Sequence, residues 1–195
     1  MAQSLEIDGL AVELPPPLRL AVAYAPAAAR AAWIALLVFD QRLARAVAGA
    51  DEPLIGQLKL AWWRDRMREP ASRWPAGEPL LGALAAFDAE RAALEALVDG
   101  WEGLIGEGHG QAERDMLAEA RAGAVAALAR LLGSAVDPDA IAALAHRWTK
   151  PGTQPAVIRV PRALRPLVIL ANLPAPDDAG PLALLRIVRL GILGR

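Results

Sequence analysis

The chain has 195 residues, 55% of them hydrophobic, which suffices for one domain with a substantial core and is too short for two. Its formal net charge of −1 creates no field that would attract nucleic acid or an anionic membrane, so nucleic-acid binding is not expected. The absence of cysteine excludes disulfides, thiolate catalysis and cysteine-ligated metals.

Residues 1–17 are predicted to form a leader that ends in three consecutive prolines, Pro15 to Pro17. This leader lacks a basic region followed by a long apolar run, so it is not expected to be a secretory signal. The longest early apolar run, residues 31–39, is about half of what spans a bilayer, and no transmembrane segment is expected. The protein is predicted to be cytoplasmic, and peripheral contact with a membrane is left open.

The first long helix is predicted to begin at Leu18 and to end before the joining segment Ala50 to Pro53. Apolar residues recur in it every three or four positions, which places them on one side of a helix that packs inward. These residues are Leu36, Phe39, Leu43 and Val47.

A second helix is predicted between Pro53, which suits a first helical turn, and Pro70, which cannot continue a helix. Because this helix is apolar on two sides, it is expected to occupy a central position in the fold. One side carries Ile55, Leu58 and Trp62, and the other carries Gly56, Leu60, Trp63 and Met67.

The rest of the chain is also predicted to be helical, with loops at clusters of glycine and proline. A third helical region follows the loop 70–79 and runs to about Ile105. A fourth helix ends at Gly133, and a fifth is capped by Asp137 and reaches Trp148. No alternation typical of strands occurs, so the predicted class is all-α. The remaining predictions are an extended segment over 151–161 and short helices over 162–173 and 181–193.

Several short blocks along the chain carry a family resemblance. The most distinctive runs from Gly56 to Arg64, with the pattern Gly-x-x-Lys-Leu-x-Trp-Trp-Arg. The others are 26–30 with 36–39, 97–100, 121–125 and the C-terminal residues from Leu164 onward. In this order and spacing they resemble the squalene/phytoene synthase family of head-to-head prenyl synthases, including degenerate members such as a mitochondrial complex I assembly factor. The resemblance extends from about Leu20 to the C-terminus. It implies a shortened, isoprenoid-synthase-like helical bundle, one domain over residues 18–195.

The resemblance also implies where catalytic acids would lie. In active members, two helices face each other across a cavity, and each presents acids four residues apart that hold Mg²⁺ against a diphosphate. The first pair is expected at Ala44 and Ala48, where this chain has no acid, and Asp40 lies one turn earlier without a second acid. The second pair is expected between residues 123 and 164, which contain no acids at this spacing. Both metal sites are therefore predicted to be missing, and no metal or cofactor is expected.

Asp65 and Glu69 are four residues apart and are the candidates for displaced catalytic acids. The favoured interpretation is that they form surface ion pairs with neighbouring arginines, because such pairs are common on helices. Glu95 and Asp99 have the same spacing, and the favoured interpretation for them is a helix face exposed to solvent.

Four cations are candidates for binding a phosphate or an anionic lipid headgroup between the first two helices. They are Arg42, Arg45, Lys59 and Arg64. The favoured alternative is that they are spread around the two helices and face solvent or pair with Asp40, Asp51 and Glu52. Four tryptophans either line a cavity for an isoprenoid chain or fill a collapsed core, and the sequence does not choose between these. They are Trp33, Trp62, Trp63 and Trp101.

The preferred hypothesis is a squalene/phytoene synthase-like protein that has lost catalysis. It would bind an isoprenoid, a lipid or a protein partner without reacting with it. The resemblance to degenerate members implies a role in the assembly of a respiratory complex. One alternative is an active prenyl-diphosphate transferase that performs head-to-head condensation with Mg²⁺ and the acids Asp65 and Glu69. A second alternative is a helical protein-interaction module without a ligand.

Overall fold

The computed structural model describes residues 2–48, 52–106, 108–149 and 159–173. These residues form α-helices joined by short loops and 3₁₀ turns, and they contain no β-strand, which confirms the all-α class. The helices are α1 (Ala2–Val12), α2 (Pro16–Ala23), α3 (Ala27–Ala48), α4 (Pro53–Arg68), α5 (Pro79–Leu84), α6 (Arg91–Glu102), α7 (Gln111–Leu131), α8 (Pro138–Thr149) and α9 (Arg165–Leu170). No helix in the described ranges is both long and apolar enough to cross a bilayer.

The single helix predicted from Leu18 onward is wrong, because the chain forms α2 and α3 with a break between them. Pro26 explains the break: it has no backbone N–H to donate, and its ring would clash with the carbonyl group one turn earlier. Instead, the carbonyl of Pro26 accepts the first hydrogen bonds of α3, from the backbone N–H groups of Ala29 and Arg30.

The third predicted helical region is also divided, into α5, a 3₁₀ segment Ala85–Glu90 and α6. Within the 3₁₀ segment Phe87 is fully buried, and a carboxylate oxygen of Asp88 accepts a hydrogen bond from the backbone N–H of Ala71 at 2.7 Å. These tertiary contacts hold the segment in a 3₁₀ turn, which is tighter than the predicted α-helix. No local sequence pattern indicates these contacts.

The local signals at helix ends are confirmed where the structure describes them. Pro53 opens α4, and Gly133 follows α7 with a φ of 61°, a conformation that glycine adopts without strain. The side chain of Asp137 accepts a hydrogen bond from the backbone N–H of Asp139 and so caps α8. The short helix predicted over 162–173 is a 3₁₀ turn, Arg162–Leu164, followed by α9. The helix predicted over 181–193 and most of the extended segment lie outside the described residues.

The predicted central position of α4 is wrong, because only one of its two apolar sides is buried. That side packs on α3 and α6, and its buried residues are Gly56, Leu60, Trp63 and Met67. The other side is exposed to solvent and forms what we call the α4 stripe: Leu54, Ile55, Leu58 and Trp62, each between 42% and 60% exposed. No described part of the chain covers the α4 stripe.

Helix α1 packs on α3 and α5, and Leu10 and Leu14 are buried there. The residues assigned to the leader thus contribute side chains to the same core as the bundle. The division into a leader and a domain stays a prediction.

Helices α6 and α7 lie close together at Gly100. A Cβ atom at Gly100 would lie 3.0 Å from the Cβ of Ala120 and 3.2 Å from the backbone Cα of Leu117. We expect Gly100→Ala to lower the free energy of unfolding by about 1–2 kcal/mol, because the helices must move apart and this outweighs the better helix propensity of alanine.

Gly123 provides the matched control for Gly100. It lies on the exposed side of α7, and no atom lies within 4 Å of where its Cβ would be. Gly123→Ala is expected to raise the free energy of unfolding by about 0.5–1 kcal/mol. Urea denaturation of both variants measures the difference, and equal stabilisation by the two substitutions would contradict the close approach at Gly100.

Candidate functional site

A buried carboxylate lies where α3, α6 and α7 meet. Asp40 of α3 is 2% exposed, and its two oxygens accept hydrogen bonds from Nε and Nη2 of Arg121 on α7, at 2.9 and 3.0 Å. The indole Nε1 of Trp101 on α6 donates to Oδ1 of the same carboxylate at 2.8 Å. The charge of Asp40 is therefore compensated inside the protein, as a carboxylate removed from water requires.

Arg121 is also in contact with two aromatic rings. The guanidinium carbon lies 4.8 Å from the ring centroid of Trp101 and 5.6 Å from that of Trp148 on α8. Cations are favoured over the faces of such rings, so four helices together hold the Asp40–Arg121 pair. No local pattern in the sequence indicates this ion pair, because the partner of Arg121 lies 81 residues away in the chain.

Three of the four cationic candidates lie around one surface pocket with a volume of about 360 Å³. Arg42 and Arg45 of α3 lie on one side, and Lys59 of α4 lies on the other. These three side chains therefore share one pocket, and their assignment to a phosphate-binding site stays a prediction. We call this site the cationic pocket; its lining is completed by Glu13, Ala46 and Trp63.

Glu13 enters the cationic pocket directly after the end of α1. Its Oε1 accepts a hydrogen bond from Nη2 of Arg42 at 2.7 Å, and its Oε2 accepts from Nε of Arg42 at 3.1 Å and from Nη2 of Arg45 at 2.7 Å. Nη1 of Arg42 also donates to Oε1 of Glu78 at 2.8 Å. Within the described ranges Lys59 has no ion-pair partner.

These hydrogen bonds favour the charged forms of both partners. The hydrogen bond from Arg42 lowers the pKa of Glu13 below its ordinary value, and Arg45 adds to this effect against the opposing effect of partial burial. The hydrogen bond to Glu13 likewise raises the pKa of Arg42. Since the pKa of Glu13 is lower in the folded protein, its contribution to stability is complete above the ordinary carboxyl pKa and is lost as the pH falls through the lowered value.

Arg64, the fourth cationic candidate, lies apart from the cationic pocket. Its guanidinium pairs with two acids of α6: Nε donates to Asp99 at 2.7 Å, and Nη2 donates to Glu102. Arg68 of α4 donates to Glu95 at 2.6 Å. These ion pairs join α4 to α6 and occupy both carboxylates of the pair Glu95 and Asp99.

The candidate acids Asp65 and Glu69 lie at the C-terminal end of α4. Asp65 is exposed and has no ion-pair partner among the residues that the structure covers. Glu69 lies 3.5 Å from Nη1 of Arg66. Across the described parts of the chain, no three or more histidines, aspartates or glutamates are grouped so that they could hold a metal ion.

The model of the squalene/phytoene synthase family matches residues 18–150, which extend from the third residue of α2 to the end of α8. The chain belongs to the squalene/phytoene synthase family. This family is of the prenyl transferase type. Comparison with curated proteins and with solved structures finds no significant match.

In this squalene/phytoene synthase family member, both expected positions of the first acid pair lie on α3 as alanines. Ala44 is half-buried, Ala48 is exposed, and Arg45 between them lines the cationic pocket. The nearest acid on the helix is Asp40, one turn earlier, which is paired with Arg121.

The interval expected to carry the second acid pair of the family contains the start of α8. There the carboxylate of Asp137 is used as a helix cap, and Asp139 follows it in the first turn. Residues 150–158 of the same interval lie outside the described ranges.

The tryptophans divide between core and surface. Trp33 is fully buried, and Trp63 packs edge-on against Phe39 with ring centroids 5.2 Å apart. Trp101 is half-buried at Asp40, whereas Trp62 is exposed in the α4 stripe.

The residues of the two polar sites that were not predicted from the sequence are Arg121, Glu13 and Glu78. Glu13 precedes the family match, and no local pattern around it indicates an ion pair.

Proposed function

We propose that this protein is a non-catalytic member of the squalene/phytoene synthase family that binds an isoprenoid or another lipid carrying a phosphate group. The observation that carries the proposal is the state of Asp40. It is the acid of α3 that lies one turn before the expected first pair, and both of its oxygens accept hydrogen bonds from Arg121.

The chemistry of the family explains why this pairing opposes catalysis. A diphosphate departs from an allylic carbon only after cations neutralise its charge, and Mg²⁺ needs several oxygen ligands held in place. A magnesium ion at Asp40 would have to displace a guanidinium that is bound through two hydrogen bonds, and the described residues group no further acids with Asp40 as metal ligands. Ala44 and Ala48 supply no ligand.

A binding role is supported by the position of the cationic pocket beside apolar surface. Ile55 of the exposed α4 stripe lies one helical turn before Lys59, and Leu58 of the same stripe directly precedes it. A ligand with an anionic head and an apolar chain matches this arrangement of charge and exposed hydrophobic side chains.

The first experiment tests the loss of catalysis. Purified protein is incubated with farnesyl or geranylgeranyl diphosphate and Mg²⁺, and the release of pyrophosphate is measured against the same mixture with EDTA. We expect no release above this control. Magnesium-dependent release that disappears in Asp65→Ala would overturn the proposal and would favour a transferase that uses displaced acids.

The same ligands test the binding role by thermal shift. A ligand that binds only the folded protein raises the melting temperature, by an amount that grows with its concentration relative to Kd. We expect a larger rise with farnesyl diphosphate than with farnesol, because only the diphosphate engages the cations. No shift with either ligand would contradict lipid binding. It would favour the second candidate function, an assembly role in which the α4 stripe contacts a protein partner.

A further inference from the structure

The cationic pocket contains more positive charge than its own acids compensate. Arg42, Arg45 and Lys59 contribute three cations, and among the described residues Glu13 is the one carboxylate in the lining. Glu78 pairs with Arg42 at 2.8 Å, but its Oε1 also accepts a hydrogen bond from the backbone N–H of Leu80 at the start of α5. Lys59 is left without an ion pair in the described ranges, so the site has capacity for a further negative charge.

The contacts of Glu13 are those that an anionic ligand would make. Its two oxygens bind Nε and Nη2 of Arg42 side by side, which is the geometry by which a guanidinium also holds two oxygens of a phosphate. One of these oxygens is shared with Arg45. The carboxylate of Glu13 thus occupies the position that an anionic ligand would take in a site formed by α3 and α4.

Glu13 is also placed so that it can leave the pocket. It follows the last residue of α1 and precedes Leu14 and three prolines, and its side chain is 27% exposed. Solvent therefore reaches the pairs with Arg42 and Arg45, and ion pairs in contact with water contribute little net stability. Movement of this one side chain opens the site without unfolding α1.

We propose that the cationic pocket is a binding site for a phosphate group and that Glu13 is a built-in competitor, which occupies the site until a phosphate displaces it. The inference rests on the proposed function, of which it names the binding site. A phosphate or diphosphate suits the site better than a second carboxylate does, because its additional oxygens and charge engage Lys59 together with both arginines.

The decisive variant is Glu13→Gln, which keeps the size of the side chain and removes its charge. A competitor that occupies the site nine-tenths of the time reduces the apparent affinity about tenfold, so we expect Glu13→Gln to bind phosphate about tenfold more tightly. The measurement is isothermal titration calorimetry of the full chain with sodium pyrophosphate. Glu95→Gln is the matched control, because it removes an equivalent acid paired with Arg68 outside the pocket, and it is expected to leave the affinity unchanged.

A second variant keeps the test independent of how Glu13→Gln folds. Lys59 is exposed and makes no ion pair with Glu13, so Lys59→Gln is expected to fold normally and to bind pyrophosphate several-fold more weakly. Equal affinities of the wild type, Glu13→Gln and Lys59→Gln would overturn the inference, and so would the absence of binding in all of them.

Two further binding experiments distinguish whether the phosphate belongs to a soluble ligand or to a lipid headgroup in a membrane. Farnesyl monophosphate in solution represents a soluble ligand, and vesicles of phosphatidylcholine with phosphatidic acid represent a lipid headgroup at a membrane. Tighter binding by Glu13→Gln in either arm supports the site, and the arm with the larger effect identifies the source. If farnesyl diphosphate stabilises the wild type and Lys59→Gln equally, the proposed function stands and this site is wrong. Magnesium-dependent release of pyrophosphate in the assay above would contradict the non-catalytic role. It would not contradict the cationic pocket as a binding site for phosphate.

Discussion

Replacing Asp40 with alanine is expected to lower the free energy of unfolding by about 3 kcal/mol, because the substitution leaves the guanidinium of Arg121 without its counter-charge. This figure is at the lower end of the range for a broken buried pair, since the side chain of Arg121 is 19% exposed and water compensates part of the loss. The indole N–H of Trp101 also loses its acceptor. Chemical denaturation monitored by circular dichroism measures the change.

Asp65→Ala is the matched control for this prediction. It removes the same side chain from a helix at an exposed position without an ion pair in the described structure, and we expect a change within about 0.5 kcal/mol. The double variant Asp40→Ala with Arg121→Ala should lose less free energy of unfolding than the two single variants do in sum. In each single variant the remaining charge is buried without its partner, whereas the double variant contains neither charge. Additive losses would contradict a coupled pair.

The size of this effect bears on the function of the protein. A carboxylate whose removal costs several kcal/mol is part of the folded core, and its oxygens are not available to a metal ion without the loss of that stabilisation. The stability measurement thus tests the state of Asp40, and the pyrophosphate assay tests the loss of catalysis that this state implies.

Replacing Trp33 with alanine is expected to lower the free energy of unfolding by about 3–5 kcal/mol, the range for removing a large aromatic side chain from a core. Trp33 is completely buried in α3, and its indole Nε1 donates a hydrogen bond to the carbonyl oxygen of Ala163 at 2.8 Å. This bond attaches α3 to a segment that lies 130 residues away and beyond the family match. The variant therefore also tests whether residues 159–173 stabilise the bundle.

Two further variants separate the contributions of Trp33. Trp33→Phe keeps most of the apolar volume and removes the donor, so it is expected to cost about 1–2 kcal/mol through the unpaired carbonyl of Ala163 and a smaller ring. Trp62→Ala removes the same type of side chain from the α4 stripe, where it is 42% exposed, and is expected to cost less than about 1 kcal/mol. A similar loss for Trp33→Ala and Trp62→Ala would contradict the placement of Trp33 in the core.

Elements that depend on neighbouring residues were predictable from the sequence. The start of α4 at Pro53, the end of α7 before Gly133 and the cap of α8 at Asp137 each follow from backbone or side-chain chemistry within a few residues. The all-α class follows from the same kind of information, because helical spacing of apolar residues is a local property. The break at Pro26 also has a local cause, because a proline within a helix removes a backbone donor and clashes with the preceding turn.

The position of α4 could not be predicted in the same way. Its two apolar sides are equivalent in the sequence, and only the arrangement of α3 and α6 determines which one is buried. The exposed α4 stripe is therefore a property of the packed bundle.

By itself, the sequence determined the helical class of this protein, the ends of several helices, the family and the absence of acids at Ala44 and Ala48. Tertiary structure alone decided that Asp40 is neutralised by Arg121 across 81 residues and that Glu13 lies against Arg42 and Arg45. The physical reason is the distance along the chain over which each interaction acts. Helix propensity, caps and spacing act over one or two turns, whereas the partner of a buried or clustered charge depends on which helices pack together.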